Sequence, residues 1–120
     1  MLSSFNFFSW LFSRMAHNGV AQEMTTNYQR GAQTEYRVCQ ELERVGYTCQ
    51  RSAGSHNLWD VCAVGPTGVR LIQCKRTKSY YQSEYEAAKE QLKGLPELPN
   101  VSREIWVWKD GDGWVIQEVI

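Results

Sequence analysis

Apolar and polar positions along the chain alternate with two distinct periods once the first two dozen residues are past. From residue 27 to about residue 45 the spacing is helical: Tyr28, Gly31, Val38, Cys39 and Leu42 fall on one side of a helical wheel. Arg30, Arg37 and Arg44, seven residues apart, fall on the other side. Thr26 and Gln29 have the spacing of a capping box, and Gly46 is a good stop, so the segment is predicted to be a helix. Glu35 sits in the middle of the apolar side, where a carboxylate needs a partner inside the protein.

The period then shortens to that of strands. Tyr47 to Arg51 is a short strand, followed by the small polar loop from Ser52 to Asn57. Leu58 to Val64 and Val69 to Lys75 read as strands joined by the turn Gly65-Pro66-Thr67-Gly68. With that turn, Val64 pairs with Val69, Asp60 comes opposite Gln73, and Lys75 shares their face. A one-residue slip would undo this alignment. Ser83 and Glu86 again have capping-box spacing and open a second helix, about 84 to 93, that stops at Gly94. Tyr85, Ala88 and Leu92 form its apolar stripe, and Pro96 and Pro99 bound the loop that follows. Glu104 to Lys109 and Trp114 to Val119 then make a hairpin across Asp110-Gly111-Asp112-Gly113. The order α-β-β-β-α-β-β is that of an α/β domain, a mixed sheet flanked by helices.

Length changes this picture little: 120 residues hold one core, not two. The first 24 residues are expected to be an extension, and residues 25–120 the domain. Phe5, Phe7, Phe8, Trp10, Leu11 and Phe12 crowd the start in a run too short to span a bilayer, without the basic start and cleavage site of a signal peptide. An amphipathic anchor or docking peptide is the other reading of that run. No transmembrane segment is expected. Cys39, Cys49, Cys62 and Cys74 form no C-x-x-C pair and have no zinc-like spacing with His17 or His56, so they read as reduced core residues of a cytoplasmic protein.

Charge bears on function through its distribution. Thirteen basic residues balance thirteen acidic ones, which gives no global nucleic-acid signature. Arg51, Arg70, Lys75, Arg76 and Lys78 nevertheless gather around the polar positions of the central strands, a local patch suited to a phosphate backbone. Asp60, Gln73 and Lys75 are polar residues set in apolar strands, where an unpaired charge costs several kcal/mol. Singly, each has an ordinary explanation: Asp60 caps a strand, Lys75 extends its amine to solvent, and Glu35 pairs with an internal base such as Lys75. Together they have the chemistry of phosphodiester hydrolysis. Mg²⁺, for which Mn²⁺ is an accepted substitute, takes oxygen ligands from one or two carboxylates, waters and phosphate. Asp60 is the expected primary ligand, the Gln73 amide oxygen a second, and Glu35 completes the shell directly or through water. Lys75 binds the scissile phosphate or steers the attacking water.

From Arg30 to Leu95 the chain resembles the PD-(D/E)XK nuclease superfamily, and within it the archaeal-type Holliday junction resolvases that also occur in phages and bacteria. The resemblance is carried by R-G-A-Q-T-E-Y-R-V at Arg30 to Val38 and G-Y-T-C-Q-R-S-A-G-S-H at Gly46 to His56. W-D-V at Trp59 to Val61 and L-I-Q-C-K-R at Leu71 to Arg76 complete it. It implies a restriction-endonuclease-like fold with a central mixed sheet of about five strands. It also implies catalytic positions at Glu35, Asp60, Gln73 and Lys75, and a DNA-contacting loop at Arg51, Ser52, Ser55 and His56. Arg30, Arg76 and Lys78 are the further expected DNA contacts. The family usually has Glu where Gln73 stands, and the missing charge should weaken metal binding in the free protein. After Leu95 the chain is short for the family.

The expected function is a Mg²⁺-dependent endonuclease resolving four-way DNA junctions as a homodimer, since two cuts in a two-fold substrate suit two sites related by symmetry. Trp106, Trp108 and Trp114 would supply an apolar interface or simply pack in the core. A DNA-binding module without turnover, and a restriction- or repair-type nuclease acting on duplex DNA, are the competing readings.

Overall fold

A computed structural model describes residues 27–52, 58–79 and 81–120. The chain divides into two compact units, residues 1–30 and residues 31–120. The elements are α1 (Asn27–Arg44), β1 (Thr48–Arg51), β2 (Val61–Gly65), β3 (Gly68–Thr77), α2 (Gln82–Lys93), β4 (Val101–Lys109) and β5 (Gly113–Val119), in the order anticipated. The five strands form one mixed sheet in the order β1-β2-β3-β4-β5, with β3 and β4 parallel and the other pairs antiparallel. The α/β architecture with two flanking helices is therefore as the pattern predicts. Thr26, half of the first expected capping box, lies outside the described residues.

Helix α1 buries Thr34, Val38, Cys39 and Leu42, a stripe at helical spacing, whereas Tyr28 is exposed and does not belong to it. The helix ends as its glycine requires. Gly46 adopts φ 96°, its N–H bonds the carbonyl of Glu43, and Tyr47 N–H reaches back to Leu42, the paired bonds of a Schellman stop. Val38, Cys39, Leu42 and Tyr47 pack on Val61, Ala63, Ile72 and Trp106, which form one face of the sheet. Helix α2 covers the other face through Ala88 and Leu92 on Ile105 and Val107. Alternation along β4 thus feeds the apolar clusters on both faces of the one sheet, each buried aliphatic side chain contributing about 1.5–3 kcal/mol.

The hairpin β2–β3 has the anticipated register, Val64 on Val69 and Gly65 on Gly68. Gly68 sits at φ +117°, with the carbonyl oxygen of Asn100 only 2.1 Å from where a Cβ would stand, so this turn accepts no other residue without rearrangement. Three element starts differ from expectation by two residues or more. β2 begins at Val61, not Leu58, because its ladder ends at the Val61–Ile72 pair. α2 begins at Gln82 with Tyr81 as its N-cap and no side-chain cap bond, so Ser83 and Glu86 form no capping box. Ser83 is already inside the helix, and Glu86 accepts a 2.9 Å bond from Gln82 Nε2 instead. β4 begins three residues early, at Val101, because its first residues pair with β3 in parallel.

The tryptophans pack within the fold. Trp106 and Trp108 both meet Trp114 edge-on at 5.3 and 5.2 Å, and Trp114 Nε1 donates to Glu41 of α1 at 2.9 Å. A register shift between Val107 and Trp108 brings Trp108 opposite Trp114. Beneath them lies a buried polar network. Arg70 grips Glu104 with two bonds of 2.7 and 2.8 Å, while Ser102 Oγ and Trp106 Nε1 donate to the same carboxylate. Arg70 therefore serves the core and is not part of the site patch anticipated for it; five residues along β3 separate it from Lys75, about 17 Å of strand. Among the described residues no helix is long and apolar enough to cross a membrane.

Candidate active site at the end of the β2–β3 ladder

The site forms where β3 outlasts β2. Strand β3 runs on to Thr77, but its last pair with β2 is Ile72 with Val61. Asp60 leaves the ladder at that point. Its N–H bonds the Ile72 carbonyl at 2.9 Å, so Asp60 forms no ladder pair with Gln73, contrary to the register extrapolated from the turn. The reason is the side chain. Asp60 Oδ2 accepts the Cys74 N–H at 2.9 Å, taking a backbone donor that no β2 residue reaches. Its own carbonyl accepts from Ser52 N–H at 2.8 Å, which ties the end of β1 to the same spot.

Arg51, the last residue of β1, pairs with Val61 and so rises on the face covered by α1. There its Nε meets Glu35 Oε1 at 3.0 Å, and its Nη1 donates to the Tyr36 hydroxyl at 2.9 Å with the guanidinium 4.3 Å from the Tyr36 ring centre. Glu35 does have the internal partner its position demands, and that partner is Arg51, not Lys75. Sequence reasoning missed this contact and Tyr36 with it. The signal was present in the pairing of a carboxylate on an apolar helix face with an arginine closing a strand.

Electrostatics link the residues that geometry brings near. Burial pushes the Glu35 carboxyl above its ordinary range; Arg51 opposes this, and Asp60 adds to it. Burial likewise raises Asp60, against the Cys74 N–H, Lys75 and Arg51, which all favour its charged form. Cys74 lies among all four groups: burial lifts its thiol far up, Asp60 and Glu35 lift it further, and Arg51 and Lys75 oppose them. Glu35, Asp60, Arg51 and Lys75 thus form one electrostatic unit, in which the two acids remain short of positive charge.

Gln73 and Lys75 share one face of β3 by alternation and face the Ile105 and Val107 side of the sheet, opposite to Cys74. Arg76, on the Cys74 side, is held by Asp110 at 2.8 Å and Gln33 at 3.0 Å, so its guanidinium is engaged within the fold. Lys78 is exposed just beyond β3, and Arg30 lies in the first turn of α1, within the first compact unit. Ser55 and His56 lie outside the described residues.

Two acids with raised carboxyls beside a lysine are a donor set that suits a hard divalent cation. Among the described residues, no three of His, Cys, Asp or Glu gather closely enough to hold a metal by themselves. Gln73, the remaining expected ligand, lies on β3 on the side of Ile105 and Val107. All four cysteines are free thiols. No protein-family model matches the chain, and no curated protein matches it.

Proposed function

We propose that the protein is a metal-dependent endonuclease acting on branched DNA, of the Holliday junction resolvase type, working as a homodimer with Mg²⁺ as its cation. The observation that carries this reading is the geometry at the end of the β2–β3 ladder, where Asp60 Oδ2 holds the Cys74 N–H and Glu35 of α1 meets Arg51, the last residue of β1. Asp60 and Glu35 would hold the cation, with the Gln73 amide oxygen as a neutral third donor. When bound, the cation supplies charge neutralisation and a water of lowered pKa. The chain's own part is to position. The Cys74 N–H fixes one oxygen of Asp60, and in the metal-free protein Arg51 neutralises Glu35. Lys75 brings a point charge toward the phosphate.

The test is to incubate the full chain and Mg²⁺ with a labelled four-way junction and with duplex of matched sequence. Paired symmetric nicks in the junction support the reading. Cutting of duplex at an equal rate replaces it with a restriction- or repair-type nuclease. One observation favours a second reading, a DNA-binding module without turnover: Gln73 leaves the site with two carboxylates. Tight junction binding without nicks at any Mg²⁺ or Mn²⁺ concentration would establish that alternative.

A further inference from the structure

Arg51 links acid-bearing α1 to the end of β1, since it closes that strand immediately before Ser52 and bonds Glu35 and Tyr36. Its side chain is one-fifth exposed and that of Glu35 slightly less, so the pair is screened only in part. The guanidinium lies where a divalent cation shared by Glu35 and Asp60 would compete for the same negative charge. One arginine and one divalent cation at this carboxylate repel each other and compete for its charge. Resting on the metal-site reading above, we propose that Arg51 is a resident counter-ion of the metal-free site: a divalent cation displaces it from Glu35, and the released guanidinium becomes available to the DNA phosphate. Tyr36 gives the guanidinium a fixed seat in the metal-free state, through its hydroxyl and its ring. Cation binding and phosphate binding are then coupled through one side chain, each favouring the other.

The coupling predicts an effect opposite to that of losing a ligand-positioning residue. At about pH 8, Mn²⁺ binding by the full chain without DNA is read from the electron paramagnetic resonance of the free ion. Arg51→Met should bind Mn²⁺ about tenfold more tightly than the wild type, because a competing charge is gone. Equal or weaker binding by a folded Arg51→Met, beside a wild type that binds, overturns the exchange and leaves the metal site standing. Absence of Mn²⁺ binding in both proteins overturns the exchange and the metal-site reading together. Adding Asp60→Asn to Arg51→Met should abolish the gained affinity; its persistence puts the ion elsewhere and overturns the proposal. Should Arg51→Met not fold, the wild type carries the test: Mg²⁺ titration should shift the Arg51 Nε–H resonance with the midpoint of Mg²⁺ binding, and a resonance that stays fixed overturns the exchange.

Discussion

Two carboxylates, Glu35 on α1 and Glu104 on β4, each face an arginine from a strand, and they differ in how fully that charge is compensated. Glu104 is nearly inaccessible, yet its carboxyl is held below the ordinary range: burial raises it, but bonds from Arg70, Ser102 and Trp106 more than offset that. Glu35 is more exposed, yet it is raised, because a single guanidinium bond does not offset burial and the nearby Asp60. Burial alone therefore does not distinguish a structural acid from a site acid; the number of donors does. Glu104 is satisfied within the fold. Glu35 and Asp60 are less fully compensated than Glu104, with burial outweighing the donors around them.

The comparison breaks most sharply by neutralising one acid in each region. Asp60→Asn should lower junction cutting by about a thousandfold or more while leaving junction affinity within a few-fold, measured by nicking and by gel shift. Loss of binding by a folded variant would remove Asp60 from the catalytic role. Glu104→Gln should leave the Mg²⁺ requirement of cutting unchanged but cost about 2–4 kcal/mol of stability in urea unfolding, since it leaves Arg70 without its counter-charge in the core. A Glu104→Gln protein as stable as the wild type would mean that Arg70 finds another partner.

A smaller effect of opposite sign separates the two regions with pH. Glu104, with its carboxyl depressed below 4.5, contributes stability that is fully present above that value and is lost as pH falls through the depressed one. Asp60 is raised above 3.8 in the folded protein, so just above that value the folded state binds more protons and stability declines as pH rises. Asp60→Asn should thus raise the melting temperature by about 2–4 °C near neutral pH, with the gain closing towards pH 4. An unchanged melting temperature across that range would show that Asp60 is not under-compensated.

What the sequence made legible follows the same division. The helices, the strand order and the Val64–Val69 register come from local periodicity and turn chemistry, and these are as anticipated. Glu35 was legible as an anomaly, a carboxylate on an apolar stripe, but its partner was not. Arg51 reaches it only because β1 pairs with β2 so that Arg51 shares a face with Val61, a relation between strands that no local pattern encodes. Arg70 and Arg76 misled for the same reason: clustered in sequence with Lys75, they are committed to Glu104 and to Asp110 and Gln33. Asp60 leaves the ladder through a side-chain bond to Cys74 N–H, which period-two alternation does not anticipate.

Gln73 offers the finest adjustment of the contrast, because it sets how far the site stays short of positive charge. Gln73→Glu adds a third carboxylate beside Asp60 and Lys75 without touching Glu104. In the metal-free protein it should lower stability slightly, as like charges then repel across the end of β3. With Mg²⁺ present it should lower the concentration needed for half-maximal cutting several-fold, and Mg²⁺ should raise its melting temperature more than that of the wild type, since a ligand that binds only the folded state stabilises by mass action. An unshifted Mg²⁺ requirement together with an unshifted metal-dependent melting temperature would remove Gln73 from the ligand set. Glu35 and Asp60 would then be the two ligands that remain of the expected set.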